Sequence, residues 1–396
     1  MEKEHYFDFA ATSPLDEEIA REALELSIEH WGNPSSIHNA GKDARTILEQ
    51  ARERAAKALG VKSSCLYFTS GGTESDHIPL LSILTRPQKG SVLVSSIEHP
   101  AIREMSKMLT SCGWQVIKVN SDKNGFIPKE AVLEKLQDDT VFVALMAVNN
   151  ETGAVQEIYK VADALNEIGK NKRKPFFHVD CVQAAGKIPL DLNHKGIDSA
   201  AFSAHKICGP RGIGLLYLSK EITPFLRGGG QEKNIRSGTE NVFGAWALSR
   251  CLEKYYISDS TPEMKDRYNK QIEYTDELME KLSHLKNCTI IPKIRLDKKA
   301  CQEQNLSFSP WILQASFRGI PGQVMERALS EKGFYISTGS ACSQGHHERP
   351  VLDNMDLTKD EKESAVRFSF GVSTSRQAME ELYQAVESVC RDFSQI

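Results

Sequence analysis

Between Leu66 and Leu218 short apolar runs alternate with amphipathic stretches, and this alternation restricts the possible folds more than any other feature of the chain. The apolar runs at 66–69, 92–95, 115–119, 141–148, 176–179, 200–202 and 213–218 are predicted strands. Helices are predicted between them, over 70–84, 100–110, 128–136 and 157–168. Short buried strands separated by helices form a mostly parallel sheet covered on both faces. The expected class is therefore α/β with a seven-stranded, mostly parallel sheet. Ligands of such sheets sit beyond the carboxyl ends of the strands.

The flanks read differently. An extended segment at 6–10 precedes helices over 16–31 and 43–59, separated by a loop at 32–38. After Leu226 comes a glycine-rich excursion, 227–238, and a helix over 239–256. A long helix at 261–285 leads to sparser strands at 288–291, 313–317, 334–338 and 366–370, with helices at 322–332 and 375–394. This pattern predicts a large domain over 15–257 and a smaller α+β domain made of 1–14 and 258–396. A chain of 396 residues, 40% hydrophobic and 26% charged, is expected to be a soluble globular protein with a substantial core. Its net charge of −4 gives no reason to expect nucleic acid or an anionic membrane as partner. No apolar run approaches the roughly 20 residues of a membrane span, and Met1–His5 has no signal-peptide pattern. Nine cysteines without CxxC pairs argue against a disulfide framework or a zinc site, so no metal is expected and a reducing, cytoplasmic setting is.

Chemistry-bearing residues collect where the strands end. Lys206 follows the run at 199–202 and precedes Gly209, Pro210, Gly212 and Gly214, a loop that prevents a helix. A lysine held there is easily desolvated, the condition for a Schiff-base amine. Gly71-Gly72-Thr73 reads either as an anion cradle at a helix start or as a plain N-cap. Asp180 closes the run at 176–179, with Gln183 three residues on. It is either a cap or the partner of a protonated pyridine nitrogen, and Lys206, 26 residues later, favours the second. Ser203 and His205 flank the lysine as phosphate donors. His99 and Asn150 end two further strands.

Taken in order, these motifs resemble the cysteine desulfurases of the NifS/IscS type, which are class V aminotransferase-like, fold-type I pyridoxal phosphate enzymes. The resemblance runs from Asp8-Phe9-Ala10-Ala11-Thr12-Ser13-Pro14 through Ser203-Ala204-His205-Lys206 to Gly339-Ser340-Ala341-Cys342 and Val366-Arg367-Phe368-Ser369. It implies that Lys206 carries pyridoxal 5'-phosphate, Asp180 pairs with the ring nitrogen and His99 stacks on the ring. Asn150 and Gln183 would contact the ring oxygen, while Gly72, Thr73, Ser203 and His205 hold the phosphate. Thr239 would reach the phosphate of a neighbouring subunit, making a homodimer. Arg367 would clamp the substrate carboxylate, and Asn33 would also meet the substrate.

Cys342 stands among small residues, which suits a thiol that attacks substrate sulfur and carries it to an acceptor protein. The implied reaction converts L-cysteine to L-alanine, with the sulfur left as a persulfide for iron–sulfur cluster assembly or for tRNA or cofactor thiolation. Lys206, Cys342 and His99 are the expected catalytic groups. A selenocysteine lyase and a cofactor-binding regulator without turnover are the alternatives. The chain departs from the family pattern at 343–350 and at Val372, where an arginine is usual.

Overall fold

The computed structural model describes residues 3–170, 172–258, 261–339 and 349–393. Seven strands form the larger sheet: β1 (Leu66–Thr69), β2 (Ser91–Ser95), β3 (Gln115–Val119), β4 (Thr140–Met146), β5 (Phe176–Asp180), β6 (Ser199–Ser203) and β7 (Gly214–Leu218). Their order is β1-β7-β6-β5-β4-β2-β3. Strands β2 to β6 pair in parallel, and β7 is antiparallel to both β1 and β6. Six strands thus point the same way and β7 alone opposes them. The ends of β1, β2, β4, β5 and β6 consequently share one edge of the sheet. Every residue of β1, β2, β6 and β7 is buried, so these strands read as continuous apolar runs.

The smaller sheet is antiparallel, in the order β10 (Ala365–Ser369), β9 (Ile312–Phe317), β8 (Cys288–Ile291). Its core, with Leu313, Phe317 and Phe368, is covered by apolar residues of the helices Pro262–Ser283, Gly322–Glu331 and Arg376–Phe393. The strand expected at 334–338 is not one. Tyr335 and Ser337 instead make isolated bridges to Tyr6 and Arg367, because two different neighbours pair with alternate residues. The second helix begins at Asn39, not at 43, with the His38 ring accepting from the Gly41 N–H. Gly41 belongs inside that first turn because a Cβ there would lie 2.5 Å from the Ser36 carbonyl oxygen of the preceding loop. Among the described residues no helix is long and apolar enough to cross a membrane.

The segment at 6–13 joins the two cores. Its Phe7 lies in the smaller core and its Ala10 in the larger. Phe7 donates to the Tyr335 carbonyl, Ser369 donates to the Phe7 carbonyl, and the Ser13 hydroxyl donates to the His205 carbonyl.

Candidate active site

The shared strand edge carries a cavity of about 260 Å³. Gly72, Thr73, His99, Asn150, Asp180, Gln183, Ser203, His205, Lys206 and Arg367 all line it. Thr239 and Asn33 do not: both are exposed, and Asn33 Oδ1 accepts from the Ser35 N–H of its own loop. Cys342 lies outside the described residues.

Lys206 ends the short turn Ala204–Lys206 that follows β6. Its Nζ donates to the carbonyls of Ala10 at 2.6 Å and Ala11 at 2.8 Å, so the neutral backbone of the bridging segment is its observed resting place. The chain then turns back sharply. Cys208 adopts a left-handed φ of 63°, stabilised by donation from its N–H to the Ser13 hydroxyl at 2.7 Å. The buried thiol of Cys208 is pushed up to about 11, first by burial, which disfavours thiolate chemistry there.

The helix Gly72–Ser82 starts at the end of β1 without a side-chain cap on its N-cap residue Gly71. Glu74 instead accepts from the Ser70 N–H at 2.5 Å. Among the described residues the first backbone N–H groups of this helix are therefore left without a side-chain cap beside Ser203 and His205, as an anion site requires. Two glycines permit the approach. A Cβ on Gly72 would lie 2.8 Å from Val182 Cγ2, and one on Gly214 would lie 2.6 Å from the Gly71 carbonyl carbon.

Asp180 combines both of its expected readings. Oδ1 accepts from the Val182 N–H at 2.8 Å as a turn cap, and among the described residues no donor reaches Oδ2. Burial pushes its carboxyl up to about 7, with Asp76 adding to the effect. A buried carboxylate with an open oxygen is well suited to a cationic ring N–H. His99 caps the helix Pro100–Ser111, its Nδ1 accepting from the Ala101 N–H at 3.2 Å. Burial, and then Lys206 and Arg103, hold this imidazole down at about 4. It is therefore neutral at ordinary pH, with Nε2 carrying the ring proton. His205 is likewise lowered to about 4, by burial and then by Lys206.

Arg367, on β10, reaches across to the larger sheet. Its Nη1 donates to the Asn150 carbonyl at 2.9 Å and its Nη2 pairs with Asp8 at 2.8 Å. Among the described residues its buried Nε has no partner, and neither has the amide of Gln314, which faces it in the β9 register.

Three buried ionisable groups near the cavity escape sequence reading. Asp76 lies one turn beyond Gly72 and binds His178 Nε2 at 3.0 Å. Glu98 accepts from Ser95 and from the Met146 N–H. Lys187 donates to Gln183. Only Asp76 had a local signal, the i, i+4 spacing that puts it on the helix face of Gly72.

An open helix N-terminus, a buried carboxylate and an amine converging on one cavity fit a phosphorylated, electron-withdrawing pyridine aldehyde. The class V aminotransferase sequence profile matches residues 5–382. The cysteine desulfurase IscS of Dictyoglomus turgidum is 32% identical over 394 residues, covering 98% of this chain and 95% of that one. A solved NifS-like protein superposes with a TM-score of 0.85 at 32% identity, over 97% of this chain and 98% of its own. Another, SspA in complex with cysteine, gives a TM-score of 0.77 at 26% identity, over 94% and 100%. A match of this extent, on a sheet whose edge carries those groups, shows that the chain belongs to the class V aminotransferase family, pyridoxal phosphate-dependent enzymes, as a homologue of the IscS/NifS cysteine desulfurases.

Proposed function

We propose that the protein is a pyridoxal phosphate-dependent cysteine desulfurase that converts L-cysteine to L-alanine and retains the sulfur on Cys342. The observation that carries this reading is the convergence on one cavity of the Lys206 amine, the open oxygen of Asp180 and the uncapped helix start at Gly72.

Pyridoxal phosphate bound there supplies an electron sink that acidifies the substrate Cα–H bond. Lys206 would hold its aldehyde carbon, and its free amine would move the substrate Cα proton. The backbone N–H groups at Gly72 and Thr73, with Ser203 and His205, hold the phosphate, and Asp180 keeps a proton on the ring nitrogen. His99 stacks on the ring, and Asn150 and Gln183 meet the ring oxygen. Arg367 binds the substrate carboxylate through its planar fork, exchanging its Asp8 contact for the substrate. Asn33 assists at the substrate.

The Cys342 thiolate attacks the substrate sulfur. A sulfur–sulfur bond forms, the Cβ–S bond breaks with its electron pair left on the carbon skeleton, and protonation there completes alanine. The enzyme thiol becomes a persulfide and no outside oxidant is needed. His99 is assigned the proton exchange near the leaving sulfur, as donor or acceptor: neutral, with Nδ1 occupied by the Ala101 N–H, it offers Nε2–H as a hydrogen-bond donor and passes on a proton only after taking one up. Thr239, exposed and away from its own cavity, is assigned to the site of a second copy in a homodimer. Residues 15–257 form the cofactor-binding domain, and 1–14 with 258–396 the domain bearing Arg367 and Cys342. A reducing, cytoplasmic setting keeps that thiol available, and the persulfide passes to an acceptor protein.

Borohydride reduction followed by peptide mapping is expected to place the cofactor adduct on Lys206. Incubation with cysteine is expected to yield alanine and a persulfide on Cys342, both abolished in Cys342→Ala. An adduct elsewhere, or full cysteine turnover by Cys342→Ala, refutes the mechanism. Turnover of selenocysteine but not cysteine would instead mark a selenocysteine lyase.

A further inference from the structure

Gln183 lines the cavity, and its amide is held at both ends. Nε2 donates to the Ala10 carbonyl at 2.9 Å, and Oε1 accepts from Lys187 Nζ. The same Ala10 carbonyl accepts from Lys206 Nζ at 2.6 Å. Hydrogen bonds therefore connect Lys187, Gln183, Ala10 and Lys206 in series.

Lys187 is an unusual occupant of this position. It is buried, and among the described residues no carboxylate pairs with it. Burial, then Lys206 and Arg367, push its amine well below the ordinary lysine range. A buried amine with no carboxylate beside it opposes folding, and an apolar side chain of similar volume would serve the core better. Its placement is nevertheless specific. Gly186 turns the backbone with a φ of 70°, and the Trp311 indole N–H holds the Lys187 carbonyl at 2.7 Å.

The Gln183 amide supplies the reason. A glutamine amide has two orientations that exchange its oxygen and its NH2 group. Reversed, it would set the NH2 against the lysine donors and its oxygen against the Ala10 carbonyl. Only the observed orientation satisfies both neighbours, and it leaves the second N–H of Nε2 uncommitted.

Resting on the pyridoxal phosphate reading above, we infer that Lys187 is a positioning residue: it locks the Gln183 amide so that the cavity is offered a hydrogen-bond donor, matched to an oxygen of the bound cofactor.

The test compares the holoenzyme of wild type, Lys187→Met, Gln183→Leu and the double variant, following cofactor release by absorbance and folding by thermal midpoint. Lys187→Met is expected to weaken cofactor affinity about tenfold, the loss expected when a hydrogen bond to a charged group is removed. Its thermal midpoint without cofactor should not fall, since a buried amine with no carboxylate beside it has been replaced by an apolar chain. The double variant should lose no more affinity than either single variant, because the two residues act through one hydrogen bond. Lys187→Arg, which keeps a donor, should recover most of the affinity.

Wild-type affinity in Lys187→Met, or additive losses in the double variant, overturn the inference. Should Lys187→Met fail to fold, Lys187→Leu is read in the same way, and failure of both assigns Lys187 a structural role and refutes the inference. Wild-type protein that takes up no pyridoxal phosphate refutes the proposed function and this inference with it, whereas normal uptake with an unaltered Lys187→Met refutes this inference alone.

Discussion

The buried imidazoles and carboxyls around the cavity make opposite demands on protons. His99, His178 and His205 are lowered to about 4, whereas Asp180 is raised to about 7 and Glu98 to about 8, burial being the first cause in each case. Asp76 is also raised by burial. Between roughly pH 4.5 and 6.5 the unfolded chain gains protons on its histidines while the folded chain keeps them on its carboxyls, and the two effects oppose each other. Above about 6.5 the histidines drop out. The folded state then holds carboxyl protons that the unfolded state has released, and each lowers stability by about 1 kcal/mol per pH unit as pH rises. Lys187 acts in the opposite sense, since burial lowers its amine and the unfolded chain binds the proton that the folded chain releases. Asp76, Asp180 and Glu98 together outweigh it, so the net slope is downward. The cofactor-free protein should show a falling urea midpoint from about pH 6.5 to 8.5. Glu98→Gln should flatten that fall, because it keeps the oxygen that accepts from Ser95 and Met146 and removes the titrating proton. An equally steep fall in Glu98→Gln would show that the proton resides elsewhere. His99, Asp180 and His205 were marked in the sequence by their strand-end positions, but the burial that shifts them and Glu98 was not, because a buried Glu and an exposed one are the same letter.

At the scale of elements, β7 is shaped by what lies over it. Gly214 pairs with Thr69, and a Cβ there would also lie 2.7 Å from the Phe202 carbonyl oxygen, so backbone confines it on two sides. Gly214→Ala should destabilise the protein by about 1–3 kcal/mol, the usual penalty of overpacking. It should also weaken cofactor binding, because the displaced backbone is the Gly71 turn; a urea titration and a cofactor titration check the two effects. An unchanged urea midpoint would mean that the turn yields freely. Most strands of the larger sheet were readable from sequence because both faces are buried, which makes their apolar runs continuous; the edge strand β3 is the partly exposed exception. The stretch at 334–338 misled for the same reason. Phe334 and Ile336 are buried and give an apolar alternation, yet their neighbours pair with two separate segments. The short helices Lys298–Glu303, Pro350–Asp353 and Lys359–Glu363 carry too few residues for a periodic signal.

Across the whole molecule, most residues that line the cavity were readable from strand ends, since β1, β2, β4, β5 and β6 end at one edge, whereas Arg367 arrives from β10 of the smaller sheet. Thr239 and Asn33 lie outside the cavity of their own chain, and Thr239 is proposed to serve a second copy. Mixing Lys206→Ala with Thr239→Ala tests this. If Thr239 serves its partner, each mixed dimer contains one complete site, and random assortment restores activity to about a quarter of wild type. No recovery above the parents would return Thr239 to its own chain.

The segment at 6–13 has a consequence for biosynthesis. Its carbonyls at Ala10 and Ala11 bind an amine 195 or more positions downstream, and Asp8 pairs with an arginine 359 positions away. The first of these contacts cannot form until Lys206 has been made, and the second must wait for Arg367. The lobe spanning the seven strands can collapse during translation. Closure of the pocket, and with it lasting capture of the proposed vitamin cofactor, must wait until Arg367 has left the ribosome.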